Sequence, residues 1–110
     1  MLENRFKTNL IAELEDLFPG VIITHLDPNE IQGIPDLLIL YEDKWAALEG
    51  KKNATANVRP NQQYYVDLMN TMSFAAFIYP ENKDDVLTAL YRYFMRDKRR
   101  LSRGKSISIQ

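Results

Sequence analysis

The chain has 110 residues, 45% hydrophobic and 26% charged, a size and balance that suit one globular domain with a core of its own. It holds no cysteine, which excludes disulfides and thiolate metal sites, and its one histidine, His25, rules against zinc held by His or Cys. The net charge of −1 averages unlike parts: residues 92–110 carry seven basic residues and one acid, residues 1–91 seven basic residues and fourteen acids.

Taken in chain order, Leu2 to Phe18 is expected to be a helix, because Phe6, Leu10, Ile11, Leu14, Leu17 and Phe18 recur at helical spacing before Pro19-Gly20 ends the run. Glu3 falls in line with Phe6, Leu10 and Leu14. An acid on an apolar face either serves a metal or catalytic site or sits wet in a first turn that favours acids, and the helix alone leaves both open. Val21 to His25 is a β-branched run that predicts a strand, with His25 near its end either orienting a phosphate or bonding a nearby loop. A polar loop follows to Gly33. Leu37 to Tyr41 predicts a second strand, apolar enough to be buried on both faces and central. Glu42-Asp43-Lys44 makes a tight turn into an antiparallel third strand, Trp45 to Gly50.

Residues 53–57 are small and polar and predict a mobile loop. Arg59-Pro60-Asn61 opens a second helix running to about Met72. On it Gln62 is in line with Tyr65, Val66 and Met69 and faces inward, whereas Gln63 is in line with Asp67 and Asn70. Phe74 to Tyr79 predicts a fourth strand. Asp84 to about Arg96 is expected to be the last helix, with Leu87, Leu90, Tyr91 and Phe94 on its apolar face. The folded domain is expected over residues 1–97 and a basic, disordered tail over 98–110.

The chemistry concentrates around the second and third strands. In a short hairpin, residues equally far from the turn are cross-strand neighbours, so Asp36 lies beside Glu49 and Lys51, which share a face. Two close carboxylates stay ionised together when a cation sits between them, and with no other ligand types available that cation is held by oxygen, as Mg²⁺, Mn²⁺ or Ca²⁺ is. The alternative is an ordinary exposed ion pair at strand ends.

Gly33-Ile34-Pro35-Asp36, Glu49-Gly50-Lys51, the helical acid Glu3 and Pro60-Asn61-Gln62 together resemble the PD-(D/E)xK nucleases, most closely the small VRR-NUC-type and Holliday-junction-resolvase-like ones. The likeness spans roughly residues 3–80. It implies an α/β (α+β) fold with an αβββαβα restriction-endonuclease-like core, a four-stranded mixed sheet flanked by helices. It also implies a metal-dependent endonuclease that hydrolyses DNA phosphodiester bonds and selects branched DNA such as a four-way junction. Asp36, Glu49 and the Gly50 carbonyl would bind Mg²⁺ (or Mn²⁺), with Glu3 a further ligand. Lys51 would position the attacking water, and Gln62 would orient Lys51 or the substrate. The chain departs from the pattern at Met72-Ser73-Phe74, where a glycine is usual. Lys52 could compete with Lys51, although strand parity points it to the other face.

Lys52, Arg59, Arg96, Lys98, Arg99 and Arg100 are the expected nucleic-acid contacts. A homodimer is expected, since Tyr64, Tyr91, Tyr93 and Phe94 leave an apolar surface on the last two helices. The alternative is a catalytically silent nuclease-fold accessory factor that binds nucleic acid or protein. The longest apolar runs, such as Phe74 to Tyr79, are far short of a membrane span and no signal-peptide pattern opens the chain, so the expected compartment is the cytoplasm.

Overall fold

A computed structural model of the chain describes residues 2–96, with side chains from residue 4 onward. The elements run α1 (Leu2–Leu17), β1 (Ile22–His25), β2 (Leu37–Tyr41), β3 (Lys44–Gly50), α2 (Pro60–Met72), β4 (Phe74–Ile78) and α3 (Lys83–Met95). This is the expected αβββαβα order, with helix and strand periods in the sequence switching at each boundary. The tail expected to be disordered lies outside the described residues.

The four strands form one mixed sheet in the order β1-β2-β3-β4. β1 pairs antiparallel with β2 and β2 with β3, while β3 and β4 are parallel. A parallel pair needs a crossover, and α2 supplies it. The β2–β3 turn is two residues long, Glu42-Asp43, with Tyr41 opposite Lys44 and Glu42 at φ 58°. Lys44 therefore belongs to β3 rather than to the turn. The resulting register places Leu37 opposite Leu48, so Asp36, one residue earlier, lies at the level of Glu49.

The helices divide between the two faces. On one, Leu10, Leu14 and Phe18 of the α1 segment and Leu87, Leu90 and Phe94 of α3 bury Leu37, Ile39, Tyr41, Ala46, Leu48 and Ile78. A ring cluster of Phe18, Tyr41 and Phe94 closes this core, and Lys83 Nζ reaches Glu13 Oε1 at 2.8 Å to tie α3 to α1. On the other face α2 sets Val66 and Met69 against Trp45, Ala47, Ala75 and Phe77.

Two expectations change here. β2 is central in the sheet but is not buried on both faces: Leu40 is 38% exposed, because α2 lies over β3 and β4 and leaves this side of β1 and β2 uncovered. β3 is the strand buried on both faces, from Ala46 to Gly50. The aromatic surface is also smaller than expected. Phe94 is core, and Tyr93 is half-buried with its hydroxyl 2.8 Å from Ser73 Oγ, leaving Tyr64 and Tyr91 exposed. Among the described residues no helix is long and apolar enough to cross a membrane.

Candidate active site

Four chain segments converge at one end of the sheet. Asp36 enters β2, Glu49 and Gly50 end β3 with Lys51 next, Lys7 stands near the start of α1, and Arg59 to Gln62 open α2. The hairpin register brings the first two segments together, and Asp36 Oδ2 accepts the Gly50 N–H at 3.1 Å. Lys51 continues the ladder, its own N–H donating to the Ile78 carbonyl at 2.9 Å.

Gln62 is the hub on the α2 side. Its Oε1 accepts Lys51 Nζ at 2.8 Å and the Arg59 N–H at 3.1 Å, so it caps its helix and holds the ammonium together. Its Nε2 donates to Glu49 Oε2 at 3.2 Å. Lys51 Nζ also donates to the Asn57 carbonyl at 3.0 Å and stands 4.0 Å from Glu49 Oε2. The inward facing expected of Gln62 is what the geometry has.

Glu49 is the buried charged residue of the described chain, 6% exposed. Burial, and then the neighbouring Asp36 carboxylate, push its pKa up from 4.5 to about 7. The Lys51 and Lys7 ammoniums and the Asp36 backbone N–H pull the other way without cancelling the rise. A carboxylate held in this condition is relieved by a cation placed beside it.

Lys7 is the site residue that sequence reasoning passed over. Its Nζ lies 3.1 Å from Asp36 Oδ2, with 22% of the side chain exposed. The signal was present: Lys7, Leu10 and Leu14 share a helix face, so a base on that stripe called for the same question as Glu3. Glu3 lies on α1, but its side chain is outside the described residues. His25 is exposed at the end of β1.

Asp36, Glu49 and Gln62 line an open cleft of about 440 Å³ together with Arg59, Asn61, Gly33, Ile34 and Gln32, while the Lys51 side chain borders the neighbouring hollow with Asn53 and Phe77. Arg59 is therefore at the site. Lys52 faces away, lining a shallow depression with Arg5, Phe6 and Pro80. Arg96 closes α3 at the opposite end of the sheet, its guanidinium 5.0 Å over the Tyr93 ring, which itself stacks on Phe74 at the start of β4. Lys98, Arg99 and Arg100 lie outside the described residues.

Among the described residues no group of three or more His, Asp or Glu is placed to hold a metal. The oxygen donors that the structure places together here are two carboxylates, Asp36 and Glu49. That sparse oxygen set does not suit a closed Ca²⁺ cage. It fits Mg²⁺ or Mn²⁺, since Mg²⁺ commonly takes one or two carboxylates and fills its remaining positions with water or a substrate phosphate.

No family model and no curated protein matches the chain. Among solved structures it is similar to a Holliday junction resolvase from Archaeoglobus fulgidus, an archaeal hyperthermophile, at 15% identity and a TM-score of 0.48 over 69% of this chain and 67% of that one. A likeness that loose leaves the chemistry to be argued from the side chains.

Proposed function

We propose that this protein is a metal-dependent endonuclease that hydrolyses DNA phosphodiester bonds. The observation that carries the reading is the hydrogen-bonded chain Lys51–Gln62–Glu49, whose Gln62 and Glu49 line an open polar cleft with Asp36. A purely structural ion pair has no need of a buried carboxylate kept in want of a cation, nor of an ammonium aimed by a helix-capping amide.

Asp36, Glu49 and the Gly50 carbonyl are the groups that hold Mg²⁺ or Mn²⁺ in this reading, with Glu3 as a further ligand. A divalent ion there supplies neutralisation of the scissile phosphate and acidification of the attacking water. Lys51 contributes a compact donor to the oxygen that gains charge as the phosphate is attacked. Gln62 fixes where that donor sits. Arg59, at the rim of the cleft, takes a flanking phosphate; Lys52, Arg96, Lys98, Arg99 and Arg100 are proposed to contact DNA further out.

Among the described residues no helix-turn-helix or other base-reading module stands at the cleft, and the proposed substrate is branched DNA recognised by shape. A homodimer would place two such sites on opposite strands, and the exposed Tyr64, Leu68 and Met72, each four residues apart along α2, offer a surface for it. Sedimentation tests this part: a monomer at micromolar concentration would contradict it.

The reading is tested by incubating the protein with a labelled four-way junction, a flap and a linear duplex in Mg²⁺, in Mn²⁺ and in EDTA. Metal-dependent cutting, strongest on the branched substrates, is expected. Shifted but uncut DNA would instead mark a silent accessory factor, and neither outcome on any substrate would remove nucleic acid from the account.

A further inference from the structure

Asp36 Oδ2 is used twice in this structure, by the Gly50 N–H and by the Lys7 ammonium, each at 3.1 Å. A carboxylate oxygen offers two lone-pair directions, and both of those on Oδ2 are taken, one by a backbone N–H fixed in the sheet and one by a flexible ammonium, so a divalent ion that binds this oxygen takes the place of the ammonium. We propose that Lys7 is a displaceable counter-ion, which holds Asp36 in the metal-free protein and passes to a phosphate oxygen of the DNA when a divalent cation takes its place. The inference rests on the nuclease reading above and extends it to a residue outside the motif.

Three features single Lys7 out from Lys51. Lys51 is pinned by Gln62 Oε1 and the Asn57 carbonyl, whereas among the described residues the bonded partner of Lys7 is Asp36. Lys51 approaches from the α2 side, while Lys7 comes from α1. The Lys7 stem also passes over Gly50, with its Cε 3.1 Å from where a Cβ there would stand and Asp36 Oδ2 3.5 Å from the same point. The missing side chain at Gly50 opens the route by which an α1 residue reaches Asp36. A four-carbon stem leaving by that route swings its ammonium towards the open cleft without moving the helix.

Charge supports the exchange. Asp36 and Glu49 are balanced by Lys7 and Lys51 before any ion arrives. A divalent ion leaves the cluster with excess positive charge, which repels the released ammonium and attracts a phosphodiester. Lys7 would then be a substrate-positioning residue in the loaded protein and a competitor of the metal in the empty one.

The test is the affinity of the DNA-free protein for Mn²⁺ alone, followed by paramagnetic resonance, in wild type, Lys7→Met and Lys7→Arg. Lys7→Met keeps the stem and removes the charge. It is expected to bind Mn²⁺ about tenfold more tightly, the size suited to one partly exposed like charge beside the ion. In Ca²⁺ it should bind a four-way junction about tenfold more weakly, and Lys7→Arg should lie near wild type in both. If Lys7 only props Asp36, Lys7→Met binds Mn²⁺ no better or worse than wild type, and the inference fails while wild-type cleavage still stands. Unchanged junction affinity in Lys7→Met would likewise overturn the exchange. A wild type that takes up no Mn²⁺ at millimolar concentration would sink both this inference and the nuclease reading.

Discussion

Gln62 Nε2 donates to Glu49 Oε2 across 3.2 Å, joining the first turn of α2 to the end of β3. The other end of the same amide receives Lys51 Nζ at 2.8 Å. One neutral side chain thus sets the spacing between an acid that would hold metal and a base that would meet phosphate.

Gln62→Ala removes that spacing without removing either charge. Lys51 keeps the Asn57 carbonyl but loses its aim, so kcat on a four-way junction is expected to fall by about 10²-fold, in the range lost with one oriented donor. The lost cap and hydrogen bonds should cost about 1–2 kcal/mol, visible as a lower thermal midpoint. Mn²⁺ affinity should change far less than kcat. Equal losses in both would place Gln62 in the metal site instead.

Glu49 makes the metal-free protein pH-sensitive in a defined direction. Its pKa is raised from 4.5 to about 7 in the folded chain, so the folded state binds the extra proton between those values. Its contribution to stability is present below pH 4.5 and is lost as pH rises through about 7. Glu49→Gln should therefore gain on wild type across that window, approaching roughly 3 kcal/mol above pH 7 as an upper bound, while losing cleavage. Denaturant unfolding of both proteins at pH 5 and pH 8 in EDTA checks this; a gap that does not widen with pH would contradict it.

Metal uptake should follow the same group. Because the ion displaces a proton from Glu49, Mn²⁺ affinity is expected to rise up to about tenfold per pH unit below pH 7 and to flatten above it. Calorimetric titrations in buffers of different ionisation enthalpy would show about one proton released per ion at pH 6. Uptake without proton release would mean that Glu49 is not a ligand.

Gly33 tests the link between the cleft wall and α2. It has φ +90°, and a Cβ there would stand 2.7 Å from the Asn61 backbone carbon. Gly33→Ala must push on the helix turn that carries Gln62, with an expected cost of about 2–4 kcal/mol from the left-handed backbone and the overlap together. Its thermal midpoint and kcat should fall together, whereas Gly20→Ala, at φ +89° with open space around it, should lower only the midpoint.

Much of this site was legible before the structure. Equal distances from a short turn placed Asp36 beside Glu49, and helical angle placed Gln62 inward; both arguments use only local geometry. The coverage of β2 was not legible, because an apolar run looks the same whether a helix lies over one face or both. The basic residues could not be ranked for a related reason. Arg59 and Arg96 count alike in a charge balance, yet one rims the cleft and the other lies at the far end of the sheet, a difference only topology supplies. Lys7 was overlooked because a lysine on a helix is usually a solvated stem, and its meaning came from the glycine it passes over.

The account stands most directly on cleavage of a labelled four-way junction by wild type and by Asp36→Asn, Glu49→Gln and Lys51→Ala, with and without Mg²⁺. The prediction is that wild type cuts in Mg²⁺ and stops in EDTA, and that each variant folds and loses about 10³-fold or more in rate. Cutting by wild type in EDTA, or wild-type rates in the three variants, would contradict it.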